Sequence, residues 1–200
     1  YVPQDAGGYI GSGWRKFDES LHEPNGHPEG NIDAYAVLRM CGNTSLAERV
    51  SAWLLPRLQA PDRPFDMFTW KVLAFGPDFA ADLKQLEETP GYLKTLTFQG
   101  REVTGFTAFL TPDVNIWCDG VGHIACAWYS VGNRERGDFY LRQMEKLIID
   151  ETVDGRTYKA IPYTATRSPG YEWVDPNRGF VSACAWYILA VHKFNPMRLD

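Results

Sequence analysis

The chain lacks any long uninterrupted apolar run. Every apolar stretch meets a charge, a proline or a glycine well before the roughly 20 residues that a membrane-spanning helix needs. Positive charge is also scarce: 20 Lys and Arg stand against 25 Asp and Glu, a formal net charge of −5. No basic block offsets this locally, so the field that attracts nucleic acid is missing. Cysteine is sparse too. Cys41, Cys118, Cys126 and Cys184 form neither a CxxC pair nor a zinc-ligand pattern, and four are too few for a disulfide scaffold in 200 residues. They read as small buried hydrophobes with at most one bridge. His22, His27, His123 and His192 are scattered without metal-ligand spacing, and no GxSxG, P-loop, GxGxxG after a strand, HExxH or EF-hand pattern occurs. Neither a metal nor a cofactor is expected.

What is present is the composition of a folded domain. Hydrophobic residues are 44% and charged residues 22% of the chain, which excludes wholesale disorder and low complexity. Aromatic residues reach 14%, with 7 Trp, 10 Tyr and 11 Phe, a content that suits sugar-binding clefts and large-residue cores equally. Residues 1–30 are rich in Gly and Pro and lack a helical period, so they read as an irregular arm. Residues 31–200 read as one helical domain.

Within that domain apolar and amphipathic segments alternate. Asn31 to Cys41 is apolar around much of the wheel and stops at Gly42-Asn43; Asn43 or Thr44 caps an amphipathic helix through about Leu58. Phe65 to Phe75 is apolar and stops at Gly76-Pro77. Phe79 to Glu88 is amphipathic, and Pro90-Gly91 interrupts it before Tyr92 to Leu96. Trp117 to Val131 is apolar, stops at Gly132-Asn133, and precedes the amphipathic Glu135 to Asp150; a last apolar helix runs from about Phe180 to Phe194. The pentapeptide Ala125 to Tyr129 recurs as Ala183 to Tyr187. Seven helices in repeated hairpins, inner ones apolar and outer ones amphipathic, predict an all-α array of the solenoid or α/α-toroid kind. Two insertions, about Thr97 to Ile116 and Val153 to Asn177, carry the Thr, Tyr, Phe, Gly and Pro content of short β-hairpins at a mouth of the array.

Three motifs, taken in order, sharpen this reading. Pro28-Glu29-Gly30-Asn31-Ile32-Asp33-Ala34-Tyr35 opens one inner helix and Trp117-Cys118-Asp119-Gly120-Val121-Gly122-His123 opens another; Ala185-Trp186-Tyr187-Ile188-Leu189-Ala190 precedes Asn195-Pro196. Together they resemble the six-hairpin glycosidase-like proteins, the (α/α)6 toroids, and more narrowly a bacterial subgroup with motifs of the type EHNIDAY, WxEGTAQ and TAWYILA followed by NP. The similarity spans about residues 7–197. Val121 stands where the family carries Thr, which removes a hydroxyl available to orient substrate. A closed toroid has roughly twelve helices, so the resemblance implies the C-terminal part of one. The remaining hairpins are then supplied by a removed segment or a partner chain, or an open array covers its end by self-association.

The chemistry implied is glycoside hydrolysis, which places two carboxyl groups across the scissile bond, one protonated as acid and the other acting as base or nucleophile. Asp119, at the start of an apolar helix and four residues from His123 on one helical face, is the leading candidate. Asp33 with Glu29 is the second, with Asn31 as a cap, and Asp66 opens a third apolar helix. Each of these also suits a merely structural role, since first-turn acids interact favourably with the helix dipole and Asn or Asp side chains satisfy orphan N–H groups. Ring platforms for sugars would come from Trp14, Trp70, Trp117, Tyr163, Tyr171 and Trp173, with His123 beside them, while Trp128 and Trp186 read as core. The functional expectation is a carbohydrate-active protein, most concretely a glycoside hydrolase on a poly- or oligosaccharide. The alternatives are a non-catalytic glycan-binding or self-assembling subunit, and a polysaccharide lyase using His123, Tyr163 and Arg167. With a start at Tyr1 rather than Met and a polysaccharide substrate expected, the expected location is extracellular or periplasmic.

Overall fold

A computed structural model describes residues 3–4, 8–10, 13–15, 18–23, 26–60, 62–167 and 173–198. The fold is mostly α with short β-hairpins, and the chain divides into two compact units, Tyr1–Arg63 with Met197–Asp200, and Pro64–Pro196. Among the described residues, no helix is long and apolar enough to cross a membrane.

The first unit holds the strand pairs β1 (Pro3–Gln4) with β2 (Tyr9–Ile10) and β3 (Gly13–Arg15) with β4 (Asp18–Glu23), both antiparallel, and the helix hairpin α1 (Pro28–Met40) and α2 (Thr44–Arg57). The expected irregular arm therefore contains paired strands. Helix α1 begins at Pro28, whose fixed φ and missing N–H suit a first helical position. Asn31 is not its cap. The Asn31 amide instead pairs with the backbone of Ile10, accepting from its N–H at 2.7 Å and donating to its carbonyl at 2.9 Å, so it ties β2 to the helix as another strand would. Ile32, Ala36, Ala47, Val50, Leu54 and Leu58 form the core between the two helices. Asn31, Ile32 and Ala36 are the only fully buried residues of α1, fewer than an inner helix covered on several sides would have.

The second unit contains α3 (Phe65–Phe75), a single 3-10 turn at Pro77–Phe79, α4 (Ala81–Glu88), the hairpin β5 (Leu93–Phe98) and β6 (Arg101–Phe106), α5 (Cys118–Ser130) and α6 (Arg134–Lys146). The hairpin β7 (Ile149–Val153) and β8 (Arg156–Ala160) and helix α7 (Val181–Val191) complete it. Both hairpins turn through two residues with positive φ, Gln99-Gly100 and Asp154-Gly155, the conformation whose twist matches that of the flanking strands. They start earlier than the sequence suggests. Tyr92 to Leu96 leads into and forms strand β5 rather than resuming α4, and Ile149-Asp150 belongs to β7 rather than to α6.

Helix α5 is the centre of this unit, buried from Cys118 to Tyr129, with α3, α6 and α7 packed on it. Small residues set those distances: a Cβ at Gly122 would stand 2.6 Å from Cβ of Trp186 on α7, and one at Gly137 would enter the ring of Tyr129. Glu87 ties α4 to the same pair of helices. Its Oε1 accepts from Trp128 Nε1 at 3.0 Å, Tyr140 OH at 2.8 Å and Arg136 Nη2 at 2.7 Å. Glu87→Ala orphans a buried indole N–H and a buried phenol, and is expected to cost about 2 kcal/mol in urea unfolding, with Glu87→Gln recovering part of that loss.

One turn design recurs. Gly42 and Gly132 take positive φ, and the next residue donates its N–H five residues back, Asn43 to Leu38 and Asn133 to Trp128, both at 2.9 Å. Asn43 and Asn133 then accept from Leu46 N and Arg136 N and so cap α2 and α6. Helix α7 ends the same way, Phe194 N bonding Leu189 O at 2.9 Å, but Lys193 sits at the left-handed position with φ 54°. Lys193→Gly is expected to stabilise the protein by about 0.5–1 kcal/mol, read as a higher unfolding midpoint.

Candidate functional site

The first turns of α3, α5 and α7 are gathered by two connecting segments. Phe65 N bonds Ala108 O (2.9 Å) and Trp117 N bonds Phe106 O (2.8 Å), from the end of β6 and the stretch that follows it. Cys118 N bonds Tyr163 O (2.9 Å) and Phe180 N bonds Ile161 O (2.8 Å), from the stretch after β8. Thr164 bridges Trp117, and Asn115 Oδ1 accepts from Thr166 N at 3.1 Å. The insertions thus hold Asp66, Asp119 and Ser182 in the opening turns of three apolar helices.

Behind Asp119, one turn along α5, lies His123, 1% exposed and enclosed by rings. Trp186 of α7 lies 4.1 Å from it between centroids, Trp117 4.9 Å, Trp70 of α3 5.4 Å and Phe65 6.5 Å. Among the described residues, both ring nitrogens of His123, Nε1 of Trp70 and Trp117, Oδ1 of Asp119 and Oγ of Ser182 are buried without a hydrogen-bond partner. Buried polar groups are ordinarily paired, so six such atoms on neighbouring side chains single this cage out as the candidate site.

The electrostatics follow from burial. Asp119 is 4% exposed, and desolvation raises its carboxyl from 3.8 to about 6, against smaller opposing pulls from the Ser182 hydroxyl and its own backbone N–H. The hydroxyl is near enough to act on the charge but makes no well-formed hydrogen bond to it. Desolvation alone lowers His123 to about 3, which keeps the imidazole neutral, with one N–H donor and one acceptor nitrogen. The two buried thiols of α5 are inert: burial pushes Cys118 well up, reinforced by Asp119, and pushes Cys126 up to about 12. The four cysteines are free thiols, and no three His, Cys, Asp or Glu among the described residues could hold a metal ion.

Of the residues singled out from sequence, Asp119, His123, Trp70 and Trp117 come together here. Tyr163 joins at the rim, 6.2 Å from Trp117, and Trp173 packs on Tyr163 at 5.4 Å. Tyr171 and the side chain of Trp14 lie outside the described residues. Asp33 and Glu29 belong to α1 of the first unit. Asp33 is exposed there, its carboxyl held above the usual range by partial desolvation and then by the charge of Glu29, which lies 3.9 Å from His27. Val121 packs under β6, where a Cβ on Gly105 would meet it at 2.8 Å. Ser182, Phe65 and Phe180 escaped the sequence reading. Trp128 and Trp186 both read as core from the sequence; Trp128 gives its indole N–H to Glu87, while Trp186 walls the His123 cage.

No protein-family model, curated protein or solved structure matches the chain.

Proposed function

We propose that the protein is carbohydrate-active, a glycoside hydrolase in which Asp119 donates the proton to the leaving oxygen. One observation carries this reading: a buried carboxyl held up to about 6 stands beside unpartnered donors in an aromatic cage. A carboxyl of that kind stays protonated in weakly acidic solution, as a general acid must. Indole N–H groups, a neutral imidazole and a hydroxyl suit the donors and acceptors of sugar hydroxyls, and ring faces suit the C–H surface of a pyranose. The packing of α3, α5 and α7, with amphipathic α4 and α6 beside them, supports the partial α/α-toroid expectation and the six-hairpin resemblance. Asp33, with Glu29, remains the second-carboxylate expectation, and Asp33→Asn tests it through turnover alone. An extracellular or periplasmic setting accompanies a polysaccharide substrate.

Release of reducing ends from a panel of poly- and oligosaccharides is the test. Turnover that disappears in Asp119→Asn supports the reading; no turnover of any glycan by the intact protein, or turnover unchanged in the variant, overturns it. The second reading, a non-catalytic glycan-binding or self-assembling subunit, draws on the apolar stripe that α7 leaves exposed, Val181 (86%), Ile188 and Val191. A native mass above that of one chain together with saccharide binding but no hydrolysis would favour it. The lyase reading has less support. Among the described residues, Arg167, its charge neutraliser, acts on the carboxylate of Asp175, and burial rather than a cation dominates the titration of Asp119 and His123.

A further inference from the structure

A second aromatic feature adjoins the Asp119 cage. Trp173 is 64% exposed, its ring 5.4 Å from Tyr163 and 5.9 Å from Phe180, which lies 4.7 Å from Tyr163. A tryptophan this open to water contributes little to the core, while three rings meeting at the surface form the kind of patch that marks a binding place. Its position is held by backbone, since Tyr163 O takes the N–H of Cys118 and Phe180 N bonds Ile161 O. Rings then follow one another inward: Trp173, Tyr163, Trp117 at 6.2 Å, and His123 at 4.9 Å from Trp117.

We infer that this patch is an outer subsite, with Trp173 as its platform, for a second ring of an uncharged saccharide chain whose end ring is held at Asp119. The inference rests on the carbohydrate reading of the Asp119 cage and adds to it chain length and charge. The row of ring contacts from Trp173 through Tyr163 to Trp117 argues for a chain, because a single ring at Asp119 would meet only its inner end. Charge argues for a neutral one. Among the described residues near the patch, Arg178 pairs with Glu151 and Arg167 acts on the carboxylate of Asp175. The cage itself contains no cation among the described residues, and burial is what shifts its titrating groups. A uronate or phosphate there would be buried without a counter-charge, at a cost that hydroxyl contacts do not offset.

The test is binding of neutral hexose and pentose oligosaccharides of one to six rings, and of uronate oligosaccharides of the same lengths, to Asp119→Asn with and without Trp173→Ala or Trp173→Phe. Affinity for neutral chains is expected to rise from one ring to two or more; Trp173→Ala is expected to remove that rise, about tenfold, while leaving single-ring binding unchanged, and Trp173→Phe to restore most of it. Trp173 is exposed, so loss of the fold does not complicate the comparison. Equal weakening of short and long chains, no weakening at all, or preferential binding of uronates overturns the inference while leaving the carbohydrate reading in place. No binding of any saccharide overturns both.

Discussion

Asp119→Asn is expected to abolish turnover and at the same time to make the folded protein more stable at neutral pH. The carboxyl titrates at about 6 in the fold against 3.8 as its ordinary value, so the folded chain holds this proton more tightly than the unfolded one. Its contribution to stability is fully present below about pH 4, is lost as pH rises through about 6, and above that the buried carboxylate costs about 3 kcal/mol, at 1.36 kcal/mol for each tenfold change in proton affinity. Asparagine carries no charge. The variant should therefore exceed the parent in urea unfolding by up to about 3 kcal/mol at pH 8 and by little at pH 4, less whatever its own unpaired amide costs. A structural Asp that served only the α5 dipole would give the opposite sign, since removing its charge would weaken the helix. On the functional side, loss of a general acid removes about 10²–10⁴-fold of rate, and kcat/KM of the parent should fall as pH rises past about 6. A variant that is both stabilised and inactive fits a residue whose position is kept for chemistry at the expense of stability.

Much of the helical frame was legible because its punctuation is local. Gly42-Asn43 and Gly132-Asn133 act within a few residues, the glycine reversing the backbone and the asparagine capping the next helix, so any reader of the string meets both. Asp119, Trp117 and His123 were legible for a similar reason, sharing one short helix start. Other features depend on contacts distant in sequence. Asn31 resembles a cap by position, but its amide is used by Ile10, 21 residues earlier. Ser182 carries no local mark; it matters because α7 packs close to α5 across Gly122. The internal repeat also misleads in one respect. Ala-Cys-Ala-Trp-Tyr appears twice, yet Trp128 meets Glu87 of α4 while Trp186 borders His123. Identical pentapeptides end in different environments because α4 brings a carboxylate to the first, whereas α7 sets the second against α5.

Acid is expected to act on the cage through His123 in the direction opposite to Asp119. Its ordinary value of 6.5 falls to about 3 in the fold, so the unfolded chain takes up this proton first. The destabilisation begins as pH falls below about 6.5 and approaches about 5 kcal/mol near pH 3, on the same proportionality of 1.36 kcal/mol per tenfold change. Between about pH 6 and 4 the gain from protonating Asp119 offsets that loss, and below about 4 the His123 term stands alone. Four proteins separate the two terms. Measured against the double variant, so that other titrating groups cancel, Asp119→Asn should lose stability from about pH 6.5 downward and His123→Gln should gain it from about pH 6 to 4. A parent and His123→Gln that respond to acid alike would show that the imidazole is not held neutral and would remove the uncharged cage on which sugar recognition is argued. A neutral saccharide that binds the cage should raise stability of the parent at pH 7, where His123 is uncharged, and do so less in His123→Gln, because the imidazole that meets its hydroxyls is gone.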